Sequence, residues 1–132
     1  MATKILDSYA LMAFFEDEPG ADFVRDLILK AEENKVSLLI SVVNLGEVWY
    51  SIARSNSLEV ADQYIQEING MAIEIVDADW NLTRQAAAFK ANGGISYGDC
   101  FAAALAKAKK AELITGDKEF KALEDEIKIS WI

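Results

Sequence analysis

Four acidic residues stand where an α/β protein usually places its chemistry. Asp7 ends the first apolar run of the chain, in "KILDSYAL", and a helical pattern follows it at once. Glu47 is the only charge in "VVNLGEVWYSIA", Asp99 falls at the start of an Ala-rich helix, and Asp117 follows the run "ELITG". Grouped carboxylates are ligands for Mg²⁺ or Mn²⁺, and such a cation polarises a phosphoryl oxygen and lowers the pKa of a bound water. The four residues therefore point to metal-assisted phosphoryl chemistry.

Each acid also has a structural explanation. Asp7 and Asp117 are suited to cap the N-termini of helices, and Ser96 with Asp99 has the spacing of a capping box. Glu47 could occupy the one solvent-facing position of an otherwise buried helix. Both explanations stay open for each residue, and the case for a site rests on the four together.

The composition excludes several other mechanisms. The chain of 132 residues has no histidine and one cysteine, Cys100. A Ser-His or Cys-His nucleophilic pair, an imidazole zinc site and an internal disulfide are therefore impossible. The formal net charge of −9 at pH 7 argues against tight nonspecific binding of a nucleic-acid backbone, because there is no general excess of cations to replace its counterions. Any activity on nucleic acid must then be local and metal-assisted.

Alternating strand and helix patterns supply the scaffold. Apolar runs predict five strands, and helical patterns separate the first four of them; the runs lie at residues 3–6, 36–41, 72–76, 112–116 and 127–132. Strands separated by helices favour a central, mostly parallel five-stranded sheet covered on both faces, in a single domain over residues 1–132. Right-handed crossovers bring the carboxyl ends of parallel strands to one edge, so the four acids can converge there.

The sequence favours a cytoplasmic location. No apolar run reaches the roughly 18 residues that a membrane span needs. The first strand begins within a few residues of Met1, which leaves no room for a signal peptide, and the lone Cys100 fits a reducing compartment.

With the order and spacing of the acids in view, the chain resembles the PIN-domain family, and within it the small VapC-type ribonuclease toxins. The resemblance runs from the first strand to the last and rests on "ILDSYALMAFF", "SVVNLGEVWYSIAR" and "SYGDCFAAALAKAKKAELITGDKEF". It implies a three-layer α/β/α fold and endonucleolytic cleavage of RNA with Mg²⁺ or Mn²⁺. Carried over by position, Asp7, Glu47, Asp99 and Asp117 would form the acidic, metal-binding site, with Asp117 the most variable as a direct ligand.

Three further residues are expected to support the acids. Ser8 stands where a Thr is common in the family, and its hydroxyl would orient a carboxylate or a metal-bound water. Asn44 falls at a position that is often polar in the family and would steady the site from behind its ligands. Lys118 is the cation best placed to meet substrate. Tyr9 departs from the small Ser that is usual in the family, which leaves the shape of the site's mouth open.

The resemblance also implies partners. VapC-type toxins are commonly homodimers, and each is silenced by a small antitoxin of the same type II toxin–antitoxin system. The antitoxin lays a helix in an apolar groove and often inserts a basic side chain among the acids. A net charge of −9 suits a basic antitoxin tail.

Two other functions stay open on the sequence alone. One is a noncatalytic PIN-like binding module that keeps the fold without the chemistry. The other is an Asp-dependent phosphohydrolase with Asp7 as nucleophile. Haloacid-dehalogenase-type enzymes of that kind carry a second acid two residues after the nucleophile, and here that residue is Tyr9.

Overall fold

The computed structural model describes residues 1–132 and contains five strands and seven helices. In chain order they are β1 Ala2–Leu6, α1 Ser8–Phe15, α2 Ala21–Glu32, β2 Val36–Ser41, α3 Val42–Ser55, α4 Leu58–Asn69, β3 Ile73–Val76, α5 Trp80–Asn92, α6 Tyr97–Lys109, β4 Glu112–Thr115, a 3₁₀ helix Lys118–Leu123 and β5 Ile129–Trp131. All five predicted strands are present, because each apolar run is bounded by residues that cap or break the next element.

The strands form one sheet in the order β3-β2-β1-β4-β5, and every neighbouring pair is parallel. The predicted α/β fold is therefore confirmed, and its sheet is wholly rather than mostly parallel. β1 lies at the centre, between β2 and β4. Leu6 of β1 is in register with Ile114 of β4, so the residues that follow them, Asp7 and Thr115, emerge side by side.

Alternate strand residues pack into two separate cores, because successive side chains of a strand point to opposite faces. One core joins the sheet to α5, α6 and the 3₁₀ helix, and the other joins it to α1, α2, α3 and α4. The sheet thus lies between two helical layers. The first core contains Ile5, Leu39 and Leu113, and the second contains Leu6, Leu38, Ile40 and Ile114.

Side-chain caps fix where the helices at the carboxyl edge begin. Asp7 caps α1, Ser41 caps α3, Ser96 caps α6, and Asp117 caps the 3₁₀ helix. Each of these oxygens accepts a backbone N–H that has no partner within its helix. The caps hold four helix N-termini in a defined position relative to the strand ends. None of the helices has both the length and the hydropathy that crossing a membrane would need.

Candidate active site

The four predicted acids lie at one edge of the sheet. Asp7 directly follows β1, Glu47 is in the second turn of α3, Asp99 is in the first turn of α6, and Asp117 follows β4. Their charges act on one another: those of Asp117 and Glu47 raise the pKa of Asp7, and those of Asp117 and Asp7 raise the pKa of Asp99. The fold therefore brings together residues that are up to 110 positions apart in the sequence.

Asp7 is buried and held at both carboxylate oxygens. Its Oδ1 accepts the backbone N–H of Ala10 at 2.8 Å, and its Oδ2 accepts the hydroxyl of Thr115. The same Thr115 oxygen accepts the backbone N–H of Asp117 at 3.0 Å. Thr115 thus links two of the acids across neighbouring strands. The sequence reasoning missed this residue, although its hydroxyl stands in the "TGD" segment beside one of the predicted acids.

Asp99, Asp117 and Glu119 form the tightest group of carboxylates. One oxygen from each lies within 4.8 Å of the others. The backbone N–H of Glu119 donates to Asp117 Oδ1 at 3.0 Å, which folds the start of the 3₁₀ helix back onto the group. Three carboxylates at this separation match the all-oxygen ligand sets of Mg²⁺ and Mn²⁺. Glu119 was also missed, and its only signal in the sequence is a second acid two positions after Asp117.

Glu47 is aimed into the site by a buried asparagine. Asn44 Nδ2 donates to Glu47 Oε1 at 2.8 Å and to the carbonyl oxygen of Gly98 at 3.0 Å. Asn44 Oδ1 in turn accepts the hydroxyl of Ser41 at 2.6 Å. Asn44 therefore fixes the carboxylate and ties α3 to the first turn of α6. Glu47 is half-buried, so it does not take the solvent-facing position that was the alternative explanation.

Gly98 makes room for the Glu47 carboxylate. A Cβ built on Gly98 would lie 2.2 Å from Glu47 Oε2 and 2.8 Å from Oε1, which is far closer than atoms can approach. The absence of a side chain at this position lets α6 come into contact with the acid from α3.

The side chains of the remaining two predicted residues make no hydrogen bond or ion pair with the acids. Ser8 is half-buried, and its hydroxyl makes no hydrogen bond; the hydroxyl that holds Asp7 belongs to Thr115. Lys118 is exposed, forms no ion pair and begins the 3₁₀ helix next to Asp117. Orientation by Ser8 and substrate contact by Lys118 stay predictions.

Burial and mutual repulsion disfavour the charged forms of two acids. Burial raises the pKa of Asp7 from 3.8 to about 7, against the hydrogen bonds from Thr115 and Ala10, which lower it. Burial, with the charge of Asp117, raises the pKa of Asp99 to about 8. A divalent cation supplies the charge that would reverse both effects. The donor set and its electrostatics thus fit a metal ion.

The metal-free protein is expected to lose stability as the pH rises from about 5 to about 8. Because the folded pKa of Asp7 lies above its unfolded value of 3.8, the folded state binds more protons over this interval. The stability that protonated Asp7 contributes is lost as the pH rises through its folded pKa of about 7. The loss amounts to on the order of 4 kcal/mol at most. Thermal unfolding in EDTA across this interval measures the slope, which Asp7→Asn should reduce and excess Mg²⁺ should reverse; the raised pKa of Asp99 sustains the rest of it. A slope of the opposite sign would contradict the described electrostatics.

Asp99→Asn is expected to leave the melting temperature of the metal-free protein unchanged or to raise it. The Asp99 carboxylate accepts no backbone N–H, whereas Ser96 Oγ accepts the backbone N–H of Asp99 at 3.3 Å. Ser96 is therefore the cap of α6, and Ser96→Ala serves as the control that should cost about 1 kcal/mol. Thermal unfolding at neutral pH compares the two variants. A loss on Asp99→Asn as large as that on Ser96→Ala would favour a structural role for the acid.

The fold and the site define an α/β protein with a cluster of acids at the carboxyl edge of a parallel sheet. Residues 4–126 match the family model of the PIN domain, and the chain belongs to the PIN domain family. The resemblance read from the sequence is confirmed to that extent. No curated protein sequence matches the chain.

Solved structures from toxin–antitoxin systems share the fold over nearly the whole chain. VapBC2 from Rickettsia felis, bound to a DNA fragment from its promoter, has a TM-score of 0.75 at 20% identity and 98% coverage of both chains. VapBC-1 from nontypeable Haemophilus influenzae has a TM-score of 0.71 at 17% identity, covering 98% of this chain and 97% of that one. VapC20 from Mycobacterium tuberculosis, a Sarcin-Ricin loop cleaving toxin, has a TM-score of 0.69 at 16% identity, covering 92% and 94%. At these identities the likeness establishes the fold.

Proposed function

We propose that this PIN-domain protein is a Mg²⁺- or Mn²⁺-dependent endoribonuclease, the toxin of a VapBC-type toxin–antitoxin system. The observation that carries the proposal is the gathering of five acids from four parts of the chain at one sheet edge, three of them with oxygens within 4.8 Å of one another. Such a cluster costs folding free energy unless a cation is bound, because the carboxylates repel one another. Binding a cation would remove that cost. VapC20, a Sarcin-Ricin loop cleaving toxin that shares the fold, supports the same class of reaction.

We assign direct or water-mediated cation binding to Asp7, Glu47, Asp99 and Asp117, with Glu119 as an additional ligand from the same cluster. A bound Mg²⁺ or Mn²⁺ lowers the pKa of a water and stabilises the leaving oxygen of a phosphodiester. Thr115 and Asn44 hold two of these carboxylates in fixed orientations through the hydrogen bonds described above. Such supporting residues typically contribute 10- to 100-fold to metal affinity or activity.

The proposed partners are a second copy of the chain and a cognate antitoxin, and three features support them. Similar structures are VapBC complexes, and several large apolar side chains of this chain are exposed, including Phe23, Leu29 and Leu58. A net charge of −9 suits a basic antitoxin segment. Cytoplasmic location stays part of the proposal and accords with the buried, unpaired thiol of Cys100.

The purified chain is expected to sediment as a dimer at micromolar concentration, because exposed apolar side chains are removed from water when two copies associate. Analytical ultracentrifugation in the absence of antitoxin measures this directly. A monomer at that concentration would remove the homodimer from the proposal without bearing on the nuclease.

Cleavage of a mixed pool of structured RNAs tests the proposed activity. The wild-type protein is incubated with the pool in Mg²⁺, in Mn²⁺ and in EDTA, and products are examined for new 5′-phosphate ends. We expect cutting with either metal and none in EDTA. Asp7→Asn, tested in the same assay, should lose the cutting. Asp77→Asn is its matched control, because Asp77 is an exposed acid just after β3 and contributes nothing to the pKa shifts of the cluster. Absence of cutting under every condition would make the noncatalytic binding module the leading account.

A further inference from the structure

The ring of Tyr9 lies against Gly116 at the edge of the acidic cluster. A Cβ built on Gly116 would lie 2.3 Å from Tyr9 Cε1 and 2.6 Å from Cζ, so the ring occupies the space that any other residue at that position would fill. Gly116 joins Thr115, which holds Asp7, to Asp117. The Tyr9 side chain is therefore packed on the backbone segment that leads to Asp117. Tyr9 itself follows Asp7 by two residues.

Much of this ring faces solvent. Tyr9 is 44% exposed, and its hydroxyl makes no hydrogen bond. A second tyrosine, Tyr97, stands two residues before Asp99, is 45% exposed and packs edge to face on Phe101 with ring centroids 5.1 Å apart. Residues two apart on a helix point to different faces, and Tyr97 packs on Phe101, so Tyr9 is the exposed ring that contacts a segment of the acidic cluster.

The charge of the molecule makes these rings informative about substrate binding. With a net charge of −9, the protein cannot gain much affinity for RNA from the release of counterions. Stacking of an unpaired base on an aromatic ring does not depend on protein charge and contributes appreciably to binding. The neighbouring Lys118 is a single cation with no partner, and it cannot offset the acids around it.

We propose that Tyr9 is a substrate-contacting residue that stacks on an unpaired base next to the scissile phosphate and so helps to choose the cleavage site. This inference rests on the proposed nuclease function and adds to it a specific contact outside the acidic cluster. Gly116 supports this position of the ring, because a side chain on residue 116 would overlap with Tyr9.

Steady-state cleavage of a short single-stranded RNA with one cleavage site tests the contact. Tyr9→Ser should raise KM roughly 5- to 50-fold with a smaller effect on kcat, since stacking is lost while the acids stay in place. Tyr9→Phe keeps the ring and should behave like the wild type. Trp80→Ser is the control for loss of an exposed aromatic ring, because Trp80 is 70% exposed and begins α5, which carries none of the clustered acids.

An abasic substrate separates base stacking from a structural role of the ring. Removing the base next to the cleavage site should raise KM for the wild type and for Tyr9→Phe, and should have little further effect on Tyr9→Ser. If the abasic substrate lowers kcat/KM of Tyr9→Ser as strongly as that of the wild type, the base does not stack on Tyr9 and the inference is overturned.

Binding measured without cleavage distinguishes failure of the inference from failure of the nuclease proposal. Fluorescence anisotropy follows the same RNA, labelled at one end, with the Asp7→Asn protein in Mg²⁺, and with Asp7→Asn combined with Tyr9→Ser. A Kd raised roughly 5- to 50-fold by Tyr9→Ser supports the contact even if the wild type cleaves nothing, in which case only the nuclease proposal fails. Cleavage by the wild type with KM and Kd both unmoved by Tyr9→Ser overturns the inference alone. Absence of RNA binding by both Asp7→Asn proteins, together with absence of cleavage by the wild type, overturns both.

Discussion

Asp7→Asn is expected to lower kcat/KM for RNA cleavage by more than about 100-fold while the protein stays folded. A supporting residue of a metal site typically contributes 10- to 100-fold, and a proposed ligand should contribute at least as much. The fold should tolerate the change, since an amide oxygen can still accept the backbone N–H of Ala10 and the Thr115 hydroxyl can rotate to accept from the amide nitrogen. Replacing a buried carboxylate whose pKa is raised to about 7 also removes a cost of folding at neutral pH.

The measurement is kcat/KM in Mn²⁺, with the melting temperature determined on the same preparation. Asp77→Asn should retain activity close to wild type. An Asp7→Asn protein that melts normally and keeps more than about a tenth of the activity would show that Asp7 serves only as the cap of α1.

Gly98→Ala is expected to lower cleavage activity by about 10- to 100-fold without unfolding the chain. The new methyl group would lie 2.2 Å from Glu47 Oε2, and the flexible end of the Glu47 side chain is what must move. The carboxylate would then leave its hydrogen bond with Asn44 and its place among the acids. The expected loss equals that for disturbing a supporting residue of a metal site. Alanine also favours the helical conformation at this position, so stability should not fall with activity.

Gly46→Ala is the matched control for this prediction. Gly46 precedes Glu47 on α3, and a Cβ built on it has no atom within 4 Å. The same chemical change one residue from the acid should therefore leave activity intact and raise the free energy of unfolding by up to about 1 kcal/mol. Equal activities of Gly98→Ala and Gly46→Ala would mean that the position of the Glu47 carboxylate does not matter to cleavage.

The positions of the predicted acids could be anticipated because they follow from local rules. Asp7 and Asp117 stand directly after apolar runs, and the ends of parallel strands must meet at one edge. Glu47 was conspicuous as a lone charge in an apolar helix. The capping and site explanations, which the sequence left open, turn out to be compatible for Asp7, whose Oδ1 caps α1. For Asp99 they separate, because Ser96 provides the cap of α6.

The missed residues depend on tertiary structure that no local pattern shows. Thr115 reaches Asp7 only because β1 and β4 are neighbours with Leu6 opposite Ile114. Glu119 joins the cluster only because the chain after β4 turns into a 3₁₀ helix. Gly98 is informative only once α3 and α6 are seen to meet across it. Each of these contacts joins elements whose relative placement is set by the sheet order rather than by sequence spacing.

Calorimetric titration of Mn²⁺ into the metal-free protein at neutral pH tests most directly whether the acidic cluster is a metal site. The wild type and Asp77→Asn should bind Mn²⁺ with the same affinity, and Asp99→Asn and Glu119→Gln should each bind at least about tenfold more weakly. Absence of binding by the wild type, or equal binding by all four proteins, would contradict a metal centre at this edge of the sheet.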